Sequence, residues 1–292
     1  MKIQGKITLA MLVAFFVGLV LASIGAYIIV TRNAVEDSLQ NARIMMEGAS
    51  AIRTYTSESV SPLLQQQMRV EFLPYAIPSF AAQTNFRLVQ RKLPEYSYRE
   101  PTLNPTNVND KAIDWEADII NRFRDYPDTP DLVTTRETSA GSFLTLARPL
   151  KVGSERCLVC HSTPEKAPPT MTALYGTQNG FGWKLGEIVG AQVVSIPLAV
   201  PLGRAHRTLL LFIAALAGTF IVMIVIVDLL LRFIVVKPVK EISDMASEVS
   251  LGKLNTPVFV SRSRDEIGSL AASFNRMRRS LQESLKMLEM KG

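Results

Sequence analysis

Residues 131–137, DLVTTRE, and 142–150, SFLTLARPL, read as two β-strands meeting across Ser139-Ala140-Gly141. Their β-branched and aromatic residues, with a turn between them, make a hairpin that decides the fold of the central part of the chain. Downstream, Glu187 to Ile196 reads as a further strand with Gly190 inside it. Upstream, Trp115 to Phe123 predicts a short amphipathic helix with Ile119, Ile120 and Phe123 on its inner side. Pro74, Pro78, Pro94, Pro101 and Pro105 break the preceding stretch into short pieces, with room for a strand near Phe86 to Gln90. Before them, Asn33 to about Met68 predicts a helix: Gly48 is its lone glycine, proline first comes at Pro62, and Val35, Leu39, Ala42, Met46 and Ala49 form one stripe. Strands flanking helices without βαβ alternation predict an α+β domain built on a small antiparallel sheet.

Beyond the hairpin stands Arg156-Cys157-Leu158-Val159-Cys160-His161, which contains both cysteines and one of the two histidines of the chain. Two thiols three residues apart suit thioether formation with the vinyl groups of one haem c. A histidine directly after them suits the proximal iron position. A structural zinc site would need about four ligands, and only a distant histidine could join these three. A redox pair or plain disulfide is the alternative. Its strand-then-helix setting is not expected here, with Pro149 before the motif and Pro164, Pro168 and Pro169 after it.

Two apolar runs bracket this region. Ile7 to Val30, ITLAMLVAFFVGLVLASIGAYIIV, is uncharged and long enough to cross a hydrocarbon core of about 30 Å. It is too long for the apolar stretch of a typical signal peptide, although Lys2 and Lys6 precede it. Thr208 to Val227 is also uncharged and continues through Asp228 to Arg232 into another apolar stretch. Lys2 and Lys6 on one flank, with Arg232, Lys237 and Lys240 on the other, place both termini in the cytoplasm; Arg204 and Arg207 vote the other way. Attachment of a c-type haem takes place outside the bacterial cytoplasmic membrane, which makes the intervening segment periplasmic. The expected division is a cytoplasmic N-terminus and first transmembrane helix over 1–31 and a periplasmic haem domain over 32–205. A second transmembrane helix over 206–232, a cytoplasmic module over 233–286 and a tail over 287–292 follow.

The formal net charge of +6 is spread along the chain without a long run of like charges or an aromatic-basic cluster. Nucleic acid is therefore not an expected partner, and the lipid bilayer is. The segment after the second span offers no nucleophile, metal cluster or phosphate loop, so the chain is not expected to be an enzyme.

After Lys237-Pro238-Val239 a helix runs to about Gly252 with Ile242, Met245 and Val249 in a seam. A connector with Leu254, Pro257 and Val258 follows. Asp265-Glu266-Ile267-Gly268 then opens a helix with Ile267, Leu270, Phe274, Met277, Leu281 and Leu288 in another seam. This stretch, about 233 to 286, resembles the HAMP module. Each seam is too narrow to fold alone, so a homodimer with a parallel four-helix coiled coil is expected.

A second resemblance rests on Ala42-Arg43-Ile44-Met45-Met46 with Ile52-Arg53-Thr54-Tyr55, on Asn104-Pro105-Thr106-Asn107 and on Asp114-Trp115-Glu116. It rests further on the cysteine motif and on Phe181-Gly182-Trp183-Lys184-Leu185-Gly186-Glu187-Ile188-Val189-Gly190-Ala191. In this order they resemble the Tll0287-like (DUF3365) family over about residues 35 to 200. The resemblance implies a PAS-like fold with one covalent c-type haem placed before signalling modules. Some members use a cysteine as sixth iron ligand, and this chain has no spare one. Met45, Met46 and Met171 are the candidate distal ligands, since a thioether can take that place. Core packing is the ordinary role of any one methionine, His206 sits at the membrane boundary, and an open sixth site is the remaining option. Arg53 and Arg148 are candidate partners of the haem propionates.

The expected function is a membrane-bound haem sensor that passes haem redox or ligation state through the second span to HAMP, with output by a separate signalling protein. A membrane-anchored periplasmic cytochrome serving a redox partner is the alternative.

Overall fold

The computed structural model describes residues 3–253, 258–259 and 265–289; Lys2, Leu254, Pro257 and the side chain of Leu288 lie outside them. In chain order the helices are α1 Ile3–Tyr55, α2 Ser61–Leu63, α3 Gln67–Val70, α4 Pro78–Gln90, α5 Asp114–Asp125, α6 Glu155–His161, α7 Pro169–Tyr175, α8 Ala199–Leu231, α9 Lys237–Ser250 and α10 Glu266–Glu289. The strands are β1 Ser97–Arg99, β2 Leu132–Thr138, β3 Gly141–Lys151 and β4 Ile188–Pro197. Contacts divide the chain into two compact units, Tyr27–Thr208 and the combination of Met1–Ala26 with Leu209–Gly292.

In the first unit the four strands form one antiparallel sheet in the order β1-β4-β3-β2. Successive residues point to opposite faces. Leu146, Val194 and Ile196 therefore pack with Ala42, Met46 and Ala49 of α1, Ala82 of α4 and Tyr98 of β1. Ala147, Ala191 and Val193 pack on the other face with Ile119, Ile120 and Phe123 of α5. The first turn of α5 is closed by the Glu116 carboxylate, which accepts a hydrogen bond from the Ile113 N–H at 3.1 Å and pairs with Arg99 at 3.2 Å. The hairpin, the β4 strand and the α5 helix stand as their patterns predict.

Three expectations change. Residues 86–90 are helical, belonging to α4. Pro78 starts that helix at its first turn, and Ala82 and Phe86, four residues apart, reach the sheet together. The helix expected to reach Met68 runs regularly to Tyr55, then passes through a π turn at Thr56–Val60 before Pro62, and its remainder is short pieces. The cysteine motif does follow a strand and lies on a helix, α6, so its flanks do not by themselves disfavour a redox pair.

Gly190 fits where nothing larger would. A Cβ there would overlap the Pro101 carbonyl oxygen and come within 2.6 Å of Thr102 Cγ2. Gly190→Ala is expected to destabilise this unit by about 1–3 kcal/mol, as overpacking does. Thermal melting of the detergent-solubilised chain checks this, and a wild-type melting temperature would contradict it.

The second unit takes α1 up to Ala26 and α8 from Leu209, and both helices are long and apolar enough to cross a membrane. Phe15 stacks on Phe220 with centroids 5.0 Å apart. The Asp228 carboxylate accepts hydrogen bonds from Gln4 at 3.1 Å and Thr8 at 3.0 Å. A π turn, Arg232–Val236, joins α8 to α9. Beyond it Ile242 and Val249 of α9 pack with Ala271 and Phe274 of α10. The Asp265 carboxylate caps α10 by accepting from the Ile267 and Gly268 N–H groups at 3.0 and 3.1 Å. The seam expected along α10 divides: Phe274 turns to α9, while Leu270, Met277 and Leu281 remain exposed in the single chain.

Candidate functional site

Ser154 starts α6 by accepting a hydrogen bond from the Arg156 N–H at 3.2 Å. Cys157, Cys160 and His161 then fall at i, i+3 and i+4, on one face of a helix. Both thiols are half-buried and free. Burial, reinforced by the Cys157 thiol, pushes Cys160 above its ordinary value and keeps it protonated.

Both ends of α6 are tied to the segment before β4. At the start, Val152 N–H donates to the Glu187 carbonyl at 2.9 Å and Gly186 N–H donates to the Val152 carbonyl at 2.8 Å. At the end, Gly182 N–H reaches the Ser162 carbonyl at 2.9 Å and Trp183 N–H reaches the His161 carbonyl at 3.1 Å.

The His161 ring is held as firmly as its backbone. Nδ1 lies 2.8 Å from the Gly180 carbonyl oxygen, so that nitrogen carries the proton and Nε2 keeps its lone pair. Burial lowers the affinity of the imidazole for a second proton, opposed in part by the Gly180 carbonyl. The Trp183 indole lies flat on the imidazole, with centroids 3.9 Å apart and planes 10° from parallel. Gly180 itself donates its N–H to Asn104 Oδ1 at 3.2 Å. Two free thiols of the kind that add to vinyl groups and a neutral imidazole with Nε2 available for iron fit what a c-type haem requires. Among the described residues no cluster of three or more His, Cys, Asp or Glu side chains suits a bare metal ion.

Most of the other anticipated residues are engaged elsewhere. Met46 is fully buried in the apolar core between α1 and the sheet, and Met45 packs against that core. Met171 is buried on α7, outside the two core clusters of the sheet. Arg53 pairs with the buried Glu100 carboxylate. Arg148 pairs with Asp131 at 2.9 Å and Glu47 at 3.0 Å. Both guanidinium groups expected near propionates are thus engaged by protein carboxylates. His206 stacks on Tyr27, with ring centroids 6.2 Å apart. Asn104, Gly180 and Trp183 carry no role in a reading of the sequence. Asn104 and Trp183 enter there as members of the stretches that carry the family resemblance, and Gly180 through the glycines at 176, 180, 182 and 186.

An α+β domain presenting two free thiols and a prepared imidazole on one helix, with long apolar helices before and after it, is the class of protein defined by these observations. The chain belongs to the Tll0287-like family, whose pattern matches residues 31–197. Residues 230–283 match the HAMP domain. Among solved structures the chain is similar to the crystal structure of the cyanobacterial heme-protein Tll0287, at 16% identity and a TM-score of 0.44, over 55% of this chain and 95% of that one. No curated protein matches the chain.

Proposed function

We propose that this chain is a signal-transducing haem protein of the bacterial cytoplasmic membrane. Cys157 and Cys160 hold one haem c covalently, and His161 is its proximal iron ligand. The observation that carries this reading is the 2.8 Å contact of His161 Nδ1 with the Gly180 carbonyl, which leaves Nε2 for iron on the same helix face as two free thiols. Met171 is the thioether left for the distal side once Met45 and Met46 are committed to the core. When bound, the haem supplies an iron whose oxidation state and ligation can change.

In this reading the haem domain is PAS-like and periplasmic, consistent with the antiparallel order β1-β4-β3-β2, and both termini are cytoplasmic. The segment that grips His161 leads into β4, and β4 leads into α8, whose path continues to α9. Leu198, between β4 and α8, is anchored by its N–H to the Ser142 carbonyl at 2.9 Å. Two copies pair through the exposed residues Leu270, Met277 and Leu281 into a four-helix coiled coil. A separate protein supplies the output. A tenfold bias between two HAMP packings needs about 1.4 kcal/mol of differential stabilisation.

The test is bismaleimide cross-linking of Leu281→Cys in nanodisc-embedded full chain, with the haem oxidised and then reduced. Sensing is expected to change the rate of dimer capture by about tenfold, the response for that bias. Equal rates in the two states favour an electron carrier instead.

A further inference from the structure

We propose that Trp183 and Asn104 are positioning residues for His161: the indole fixes the azimuth of the imidazole, and Asn104 holds Gly180 where its carbonyl accepts from Nδ1. This rests on His161 being the proximal ligand.

The imidazole has two contacts that define its plane. One is the hydrogen bond from Nδ1 to the Gly180 carbonyl, and the other is the Trp183 ring, 3.9 Å from its own. A hydrogen bond alone permits the ring to rock about its own direction; an aromatic face parallel to within 10° removes that freedom. The Trp183 backbone N–H donates to the His161 carbonyl at 3.1 Å, so the two residues are tied through their backbones as well as through their rings.

The peptide at 180 is built for its task. Gly180 has φ +82°, and a Cβ there would run into the Thr106 backbone, 2.8 Å from its Cα. Only glycine lets the chain pass this close to Thr106 while its carbonyl faces His161 and its N–H faces Asn104. The hydrogen bond from the Gly180 N–H, which belongs to the preceding peptide unit, to Asn104 Oδ1 tethers this residue and so holds its carbonyl against His161. A well-placed acceptor on Nδ1–H makes the imidazole a more basic ligand, which favours oxidised iron. Thr106 Oγ1, 3.5 Å from Nδ1, is too distant to replace the carbonyl.

The experiment measures the full-length holoprotein in detergent by electron paramagnetic resonance and by redox titration. Asn104→Ala is expected to lower the ratio of oxidised to reduced iron at fixed ambient potential, by up to about tenfold. Asn104→Asp, which keeps an acceptor for the Gly180 N–H, is expected not to lower it. Trp183→Leu is expected to broaden the g-values, because the ring azimuth is no longer single, and Trp183→Phe to restore the wild-type spectrum. An Asn104→Ala variant that leaves the ratio unchanged, an Asn104→Asp variant that lowers it as far as Ala does, or a Phe variant as perturbed as the Leu variant overturns the inference. Wild-type protein without covalent haem overturns the reading beneath it and is recognised before any variant is made.

Discussion

Replacing Cys157 and Cys160 together by serine is expected to abolish all haem that survives denaturation. The two thiols are the only ones in the chain, so no other side chain can form a thioether. The i, i+3 spacing on α6 puts both sulfurs on the face that carries His161, and each single replacement leaves one bond-forming sulfur. Haem-peroxidase staining after denaturing electrophoresis should therefore show full signal in wild type and none in the double variant. The single variants should be intermediate, with a pyridine haemochrome band moved to longer wavelength because one vinyl group stays unsaturated. His161→Ala should retain the stain but lose the low-spin spectrum. A wild-type protein carrying a Cys157–Cys160 disulfide and no stain would point to a redox pair and end the haem reading.

The second large effect is expected at Arg53. Its guanidinium pairs with Glu100, a carboxylate 1% exposed behind β1. Tyr98 donates its hydroxyl to the same carboxylate at 2.7 Å, and Gln192 of β4 donates to the Tyr98 hydroxyl at 3.0 Å. Burial, with Glu100 beside it, pushes the Tyr98 phenol well above its ordinary range, so it remains a donor. Arg53→Met leaves a buried carboxylate with one neutral partner, which is destabilising by about 3–5 kcal/mol in comparable cases. The side chain of Arg53 is 25% exposed, which places the expectation near 3 kcal/mol. The melting temperature should fall by roughly 10 °C. Combining Arg53→Met with Glu100→Gln should recover most of the loss, because no buried charge then lacks a partner. A double variant no more stable than Arg53→Met would show that the guanidinium acts through packing and not through charge.

Which features could be read from sequence follows from the range of the forces involved. The β2–β3 hairpin, β4 and α5 have local periodicities that match their burial, so their patterns carry them. Phe86-Arg87-Leu88-Val89-Gln90 has the same apolar density as a strand, and only the tertiary fit of Ala82 and Phe86 against Tyr98 makes it helical. β1 is three residues long and exists through its pairing with β4, a contact almost a hundred residues away in the chain. The cysteine motif is legible because two cysteines and a histidine within five residues form a local pattern that needs no tertiary contact to be seen. What holds His161 is not, since a backbone carbonyl at 180 and an indole at 183 reach it by loop geometry alone. Glu100 reads as an ordinary surface charge until the sheet encloses it.

The π turn at Arg232–Val236 has a rotational consequence. A π turn closes its hydrogen bonds one residue later than an α turn, and one residue subtends about 100° of helix. Every side chain beyond Val236, including the Ile242 and Val249 stripe, is therefore out of phase with the stripe that α8 would otherwise project forward. Annealing that extra residue into regular α-helix would swing the stripe by up to that angle with almost no change in length. The join is thus a stored quarter-turn, lying directly between Asp228 and the first residue that packs against α10.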